Sequence, residues 1–248
     1  MRLSDFKTKP TRIRNDLQIT GPNGATTGDV EMSIDSTVIT PTKSKTYTDK
    51  IKCYTNAVTT AVAEVGGLQG KTQKITVKTA GTKNCYWLPW GEGKVYIGAL
   101  GGDHDYFFTY TINGCGVFFG GTANAPIVAH ANMKSDRLDT IAMKGGDRVA
   151  ERMKELEEQG VKFKPELVTD INKQVASDQS IAYDQFYGNL GAALIDDDLL
   201  SGAKIEVVTP EQYLIRANAG FGAVFGVKDK NNAWSFYGNW GGQTKQIW

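Results

Sequence analysis

Two short apolar runs separated by a turn-rich segment constrain the fold of this chain more than any other pattern. The runs span residues 114–119 and 127–131, and both are rich in β-branched or aromatic residues. Such a pattern is typical of an antiparallel β-hairpin. If the chain folds back at the centre of the turn, just after Thr122, then Cys115 lies directly opposite His130. Opposed residues share one face of a sheet with Cβ atoms about 4.5–5.5 Å apart, so the thiol and the imidazole are predicted to be neighbours.

A thiol beside an imidazole is the minimal activated nucleophile. Gly114 and Gly116 flank Cys115, and glycines leave backbone N–H groups open to the close approach that stabilisation of an oxyanion requires. The chain has 2 histidines in 248 residues, so a chance pairing with a cysteine is uncommon. The sequence therefore predicts Cys115 as nucleophile and His130 as base, against the common alternative in which both are structural core residues.

Residues 106–131 resemble the catalytic hairpin of the cytotoxic necrotizing factors, bacterial toxins that deamidate a glutamine of Rho-family GTPases. The family's Leu-Ser-Gly-Cys corresponds here to Ile112-Asn113-Gly114-Cys115, and a histidine follows fifteen positions later. Asn113 replaces the family's serine, a departure that bears on the substrate more than on the thiol chemistry. The resemblance implies a secreted virulence effector, a deamidase of a host protein in the host cytosol. It also implies that a backbone carbonyl from another strand orients His130.

Two other interpretations stay open beside deamidation. A thiol peptidase or a transglutaminase uses the same dyad and the same thioester, and differs only in the acyl donor and acceptor. A non-enzymatic β-sandwich binding module is the second alternative, with Trp234, Trp240 and Trp248 contacting a ligand and Cys115 inert. Aromatic residues on sheet faces are more often part of a core, which disfavours this second alternative.

Composition predicts the fold class and excludes several kinds of partner. The chain has 28 Gly, 7 Pro and many short Val, Ile, Thr, Tyr and Phe runs, which favours an α+β fold with a largely antiparallel sheet or sandwich and flanking helices. A net charge of +1 argues against recognition of nucleic acid or membrane by bulk charge. The sequence contains no apolar run long enough for a membrane span and no apolar core near Met1, so secretion without a recognisable signal peptide is expected.

The remaining polar motifs favour no cofactor and no metal. Three cysteines is an odd count without a metal-binding spacing, and free thiols are favoured over a disulfide between Cys53 and Cys85. Asp103, His104 and Asp105 are adjacent, and three adjacent side chains rarely converge on one ion. His104 is therefore predicted to be a solvated loop residue, far from Cys115.

The pattern along the chain predicts a loosely ordered, Thr/Ser-rich arm at residues 1–50 and a single catalytic domain at residues 51–248. Asn113-Gly114 is a strong hairpin signal and predicts a meander that continues from residues 106–112 into the Cys115 strand. The further predicted strands are 72–79, 94–100, 204–208, 213–217, 223–228 and 233–237, and the predicted helices are 147–159 and 169–185.

Overall fold

The computed structural model describes residues 1–23, 29–39, 44–132, 153–160, 170, 183, 185–202 and 204–248. Its strands are β1 (Asp16–Thr20), β2 (Asp29–Ile39), β3 (Ser44–Tyr54), β4 (Thr59–Gln69), β5 (Thr72–Lys78), β6 (Cys85–Leu88), β7 (Lys94–Ala99), β8 (Tyr106–Thr109), β9 (Gly116–Thr122), β10 (Ala125–Asn132), β11 (Glu206–Val208), β12 (Ala223–Lys228), β13 (Trp234–Trp240) and β14 (Gln243–Gln246). The helical elements are α1 (Leu3–Thr8), a 3₁₀ turn (Pro10–Arg12), a π-helix (Glu211–Arg216) and residues 153–158 and 185–196.

Within these described residues the strands form two sheets. Sheet A has the order β1-β5-β4-β6-β8-β12-β13-β14, and sheet B has the order β11-β9-β10-β7-β3-β2. Three pairs are parallel, β1 with β5, β3 with β7 and β6 with β8, and the other ladders are antiparallel. This arrangement confirms the predicted α+β class with a largely antiparallel sheet or sandwich.

Alternate residues of β6 and of β9 bury into different cores, as the two-residue period of a strand requires. The inter-sheet core joins side chains of both sheets, among them Phe107, Val117, Phe119, Val128 and Phe236. The opposite face of sheet B packs against the helix of residues 185–196, and we name that cluster the helix-covered core. The opposite face of sheet A, which includes β1, packs against α1 in what we name the N-terminal core.

The predicted meander through Asn113-Gly114 is wrong. β8 belongs to sheet A and β9 to sheet B, so residues 113–115 carry the chain from one sheet to the other. Ile112 remains with sheet A through a two-way backbone bridge to Gly222, with N–O distances of 2.8 Å. Gly114 then turns the chain at φ 82°, a conformation that favours glycine. The Asn-Gly signal marks a real turn, and the next strand pairs elsewhere because the turn leads into a different layer.

Part of the predicted arm at residues 1–50 is packed. β1 pairs with β5 from Asp16 to Thr20, and Phe6, Leu17 and Ile19 are fully buried in the N-terminal core. The predicted boundary at residue 50 falls inside β3. Polar composition concealed this packing because a strand that buries every second residue needs few apolar side chains. The assignment of residues 51–248 to a single catalytic domain stays a prediction.

The strands predicted from residues 72, 94, 204, 223 and 233 are confirmed with small shifts of their ends. The strand predicted at residues 213–217 is wrong, because the chain forms the π-helix there. Of the two predicted helices, residues 153–158 are helical and most of the rest lies outside the described residues. In the part of the chain that the structure describes, no helix is long and apolar enough to cross a membrane.

Candidate active site

The hairpin that carries Cys115 and His130 is present, but its register differs from the predicted one. β9 and β10 pair with Thr122 opposite Ala125, which leaves a two-residue turn, and His130 lies opposite Val117. The predicted direct opposition of Cys115 and His130 is therefore wrong by two residues. Continuing the ladder by one step brings Asn132 opposite Cys115.

The shift in register has a long-range cause. Gly120 and Gly121 belong to β9 instead of the turn, and a Cβ added at Gly120 would lie 2.7 Å from the carbonyl oxygen of Ser201. The Gly121 N–H also donates to that Ser201 oxygen. The two glycines thus admit a distant segment of the chain, while Ala123 and Asn124 make the turn.

A two-residue shift keeps both side chains on one face of the sheet, because the side-chain period of a strand is two. Cys115 packs in the inter-sheet core beside Val117, the residue that His130 opposes. Cys115 and His130 are diagonal neighbours, for which the typical separation is roughly 7–8 Å between Cα atoms and somewhat less between Cβ atoms. The register therefore keeps the two predicted residues on one face of the sheet, and no hydrogen bond joins their side chains among the described residues.

His130 is 0% exposed, and its ring orientation is set by β8 and β6. Its Nδ1 lies 2.6 Å from Thr109 Oγ1, and that hydroxyl donates to the Leu88 carbonyl oxygen at 2.8 Å. Because a hydroxyl has one proton, Thr109 accepts from His130, and the imidazole is the Nδ1–H tautomer. Its Nε2 keeps a lone pair with no hydrogen-bond partner among the described residues.

Burial controls the charge of both groups. Desolvation lowers the pKa of His130 to about 3, so the imidazole is neutral at pH 7. Cys115 is 3% exposed, and burial raises the pKa of its thiol. Asn132 Nδ2 donates to the sulfur at 3.2 Å, and that amide, together with the backbone at Asn113, acts on the Cys115 pKa in the opposite direction.

The site includes residues that sequence reasoning missed. Asn132 lies on the same face as His130. It follows His130 by two residues, so the two-residue period of a strand could have predicted this placement. Thr109 ends a predicted strand, but nothing in the sequence connects it to His130. Tyr187 and Tyr213 contact the backbone beside Cys115 from the 185–196 helix and the π-helix, and both contacts depend on the tertiary fold.

The second histidine lies in a different environment. The His104 ring packs against Tyr86 with centroids 5.1 Å apart, and the neighbouring Asp105 pairs with Lys7 at 2.7 Å. The described residues hold no group of three or more metal-ligating side chains. The large separation predicted between His104 and Cys115 was inferred from the meander. Because the meander is wrong, that inference no longer holds.

The other predicted features are placed as follows. Cys53, Cys85 and Cys115 are free and buried, which confirms the prediction of free thiols. Trp234 is buried in the inter-sheet core, and Trp240 and Trp248 pack against it. A cavity of about 300 Å³ is lined by residues of the first fifteen positions, and neither Cys115 nor His130 contributes to it.

No model of a known protein family matches this chain, and no curated protein matches it either.

Proposed function

We propose that this protein is a Cys–His amidohydrolase that deamidates a glutamine side chain of a host protein. The observation that carries the proposal is the state of His130. Thr109 fixes the Nδ1–H tautomer, and the Nε2 lone pair stays unshared on the sheet face that also carries Cys115. A histidine that only filled the core would be expected to satisfy both ring nitrogens, since an unpaired buried polar atom is costly.

The proposed reaction uses this tautomer directly. His130 Nε2 takes the proton from the Cys115 thiol, and the sulfur attacks the amide carbon to give a tetrahedral oxyanion. The carbon–nitrogen bond then breaks, and ammonia leaves with the proton from Nε2. Water, deprotonated by the same nitrogen, hydrolyses the thioester and releases glutamate. The Asn132 amide, already a donor to the sulfur, stabilises the thiolate along this path.

In the conformation described here, Cys115 and His130 are not yet arranged for proton transfer. Both groups are neutral, the sulfur is covered, and the two side chains are diagonal neighbours. The proposal therefore requires that substrate binding uncovers Cys115 and closes the gap between the sulfur and Nε2. Closure on the substrate is a common device by which enzymes complete a catalytic arrangement.

The identity of the substrate rests on the resemblance to the cytotoxic necrotizing factors. Cys115, Gly114 and His130 agree with that family's pattern in residue type and in spacing. The third group that orients the histidine is a backbone carbonyl in the family, whereas here the Thr109 hydroxyl stands between the imidazole and the Leu88 carbonyl. By this resemblance the protein is a secreted toxin or effector, and its substrate is the glutamine that positions the hydrolytic water of a Rho-family GTPase.

Intact-mass measurement of a substrate tests the proposal. Purified Rho and Rac are incubated with the protein, and deamidation adds about one mass unit at the switch glutamine. Cys115→Ser should abolish the shift, and Cys53→Ser should retain it because Cys53 lies in the helix-covered core. A shift that persists in Cys115→Ser contradicts the proposal. Fragments indicate a thiol peptidase, and amine incorporation indicates a transglutaminase.

A binding module without catalysis is the second candidate, and the burial of Cys115 favours it. The Cys115 thiol is 3% exposed and burial raises its pKa, so an inert Cys115 would react slowly with iodoacetamide. Labelling of folded protein at mildly acidic pH separates the candidates, because only a thiol that forms a thiolate readily reacts quickly there.

A further inference from the structure

The cavity of about 300 Å³ is formed by α1 and by the segment that leads from α1 into β1. Three cationic side chains line it, Lys9, Arg12 and Arg14, together with one carboxylate, Asp5. The side chains of the lining therefore carry a formal charge of +2, from three cations and one carboxylate. The whole chain is close to balance, with 28 basic and 27 acidic residues, so this cavity is a local excess of positive charge.

The three cations of the cavity form no ion pair with a carboxylate among the described residues. Lys7, also on α1, shows the contrast, because it pairs with Asp105 at 2.7 Å. The Asp5 carboxylate lines the cavity, but its Oδ2 accepts from the Arg2 N–H at 2.7 Å. A concave surface lined by one sign of charge raises the local concentration of the opposite ion. The cavity is therefore suited to attract an anion.

Two buried side chains of sheet A fix the backbone that carries Arg14. Asn239 Nδ2 donates to the Asn15 carbonyl oxygen at 3.1 Å, and Thr244 Oγ1 donates to the Ile13 carbonyl oxygen at 3.0 Å. The two donors are themselves joined, since Asn239 Nδ2 also donates to Thr244 Oγ1 at 2.8 Å. Arg14 lies between the two held carbonyls, and its side chain is exposed. A fixed backbone beneath an available guanidinium lowers the ordering cost of binding.

The backbone that carries the other two cations is also held. The Lys9 N–H donates to the Asp5 carbonyl oxygen at 2.9 Å, and the Arg12 N–H donates to the Lys9 carbonyl oxygen at 3.0 Å. Lys9 and Arg12 are exposed, like Arg14. The structure thus fixes the main chain of all three positions and leaves the charged groups available to a ligand.

The charge and chemistry of the lining match a phosphoryl group. A phosphate ester carries a charge of about −1.5 to −2 at neutral pH, which balances the lining, whereas a single carboxylate would leave half of the positive charge uncompensated. Guanidinium groups bind phosphate oxygens through two parallel hydrogen bonds, and an ammonium group binds phosphate as a point charge. The volume lies at the lower end of the range for small-molecule sites. A small phosphorylated molecule is therefore favoured over a large ligand.

We propose that this cavity binds the phosphoryl group of a small phosphate ester. Arg12 and Arg14 contact the phosphate oxygens, and Lys9 completes the charge balance. Neither Cys115 nor His130 contributes to the cavity, so the inference concerns a second site and does not depend on the proposed deamidation.

Isothermal titration calorimetry of the full chain with glycerol 3-phosphate tests the proposal, with acetate as the monoanion for comparison. Arg12→Gln and Arg14→Gln should each raise the Kd for glycerol 3-phosphate at least about tenfold, since a hydrogen bond to a charged group contributes strongly. Arg14→Lys keeps the charge without the planar fork and should recover only part of the affinity. Lys230→Gln is the matched control, because it removes one exposed positive charge outside the cavity. The control should stay within about twofold of the unmodified protein.

Asp5→Asn gives a test of opposite sign. It removes the carboxylate from the lining and keeps a side-chain oxygen that can accept from the Arg2 N–H. The Kd for glycerol 3-phosphate should fall by about threefold, the size expected for one partly exposed charge. A Kd that rises in this variant contradicts the assignment of the cavity as the anion site.

Three further outcomes would overturn the inference. Equal affinity for acetate and glycerol 3-phosphate, or equal weakening in Lys230→Gln and the two arginine variants, would show attraction to charge without a site. No saturable binding of glycerol 3-phosphate at millimolar concentration would show that the cavity takes no phosphate ester. Binding to phosphatidic acid vesicles without binding to glycerol 3-phosphate would assign the cations to a membrane surface. An unchanged melting temperature in each variant confirms that a lost affinity reflects the cavity and not the fold.

Discussion

The three cysteines lie in three different cores of the molecule, and their surroundings differ more than their exposure does. Cys53 lies in the helix-covered core with its sulfur 3.0 Å from the Met32 sulfur. Cys85 lies in the N-terminal core. Burial raises the pKa of each of these two thiols to about 12. Cys115, in the inter-sheet core, is also buried. Its sulfur accepts a hydrogen bond from a side-chain amide, and two phenols donate to the carbonyl oxygens of Gly114 and Cys115.

This difference shows that burial does not identify the candidate nucleophile. Desolvation makes any thiol harder to ionise, so it acts against reactivity at all three positions. The feature that separates Cys115 is the set of polar groups supplied by β10, the π-helix and the 185–196 helix. Experiments that remove these groups one at a time, or that compare the labelling rates of the three thiols, test whether these polar groups distinguish Cys115 and by how much.

The largest expected effect follows from replacing His130, the proposed base for Cys115. His130→Gln keeps a polar side chain but removes the titratable imidazole and its Nε2 lone pair, and it should lower carboxamide turnover by at least about a thousandfold. Steady-state deamidation of a GTPase measures the loss. His104→Gln is the matched control and should stay within about twofold of the unmodified protein. Equal losses in the two variants would show that the wrong histidine has been assigned.

The hairpin shows which features of the candidate site could be predicted from the sequence. Alternation and turn residues predicted two strands with Cys115 and His130 on one face, and that part survives the change of register because the shift is even. The register itself depends on Gly120 and Ser201, which are distant in sequence, so no local pattern contains it. Thr109 joins the site through the stacking of sheet A on sheet B, which a single sequence does not reveal.

The wrong strand prediction at residues 213–217 has a similar origin. Tyr213 and the following alternate residues match the two-residue period of a strand, yet Pro210 precedes a π-helix that directs Tyr213 to the Cys115 carbonyl. π-helical turns are rare and are often found at functional sites. A local period cannot separate a buried strand from a short helix whose one buried face is used for a contact.

A smaller effect is expected from the donor to the sulfur. Asn132→Leu removes the amide that contacts Sγ at 3.2 Å, so the pKa of Cys115 should rise and iodoacetamide labelling at pH 7 should slow by about tenfold. Peptide mapping of the alkylated protein follows all three cysteines in one sample. Cys53 and Cys85 should label more slowly than Cys115 before the change and at unchanged rates after it. Labelling of Cys115 that is indifferent to Asn132 would remove the distinction between the three cores.

The smallest expected effect is on stability and concerns the neutral state of His130. Its pKa falls from an ordinary 6.5 to about 3 on folding, so between these values the unfolded chain binds the extra proton. Stability is then complete above about pH 6.5 and is lost as the pH falls toward 3. Between pH 6.5 and 5.5 this group should remove about 1 kcal/mol of unfolding free energy. Urea unfolding at the two pH values measures the change, which His130→Leu should reduce by that amount. An identical pH dependence with and without His130 would mean that the imidazole reaches solvent, and the neutral, unshared Nε2 of the proposed mechanism would lose its physical basis.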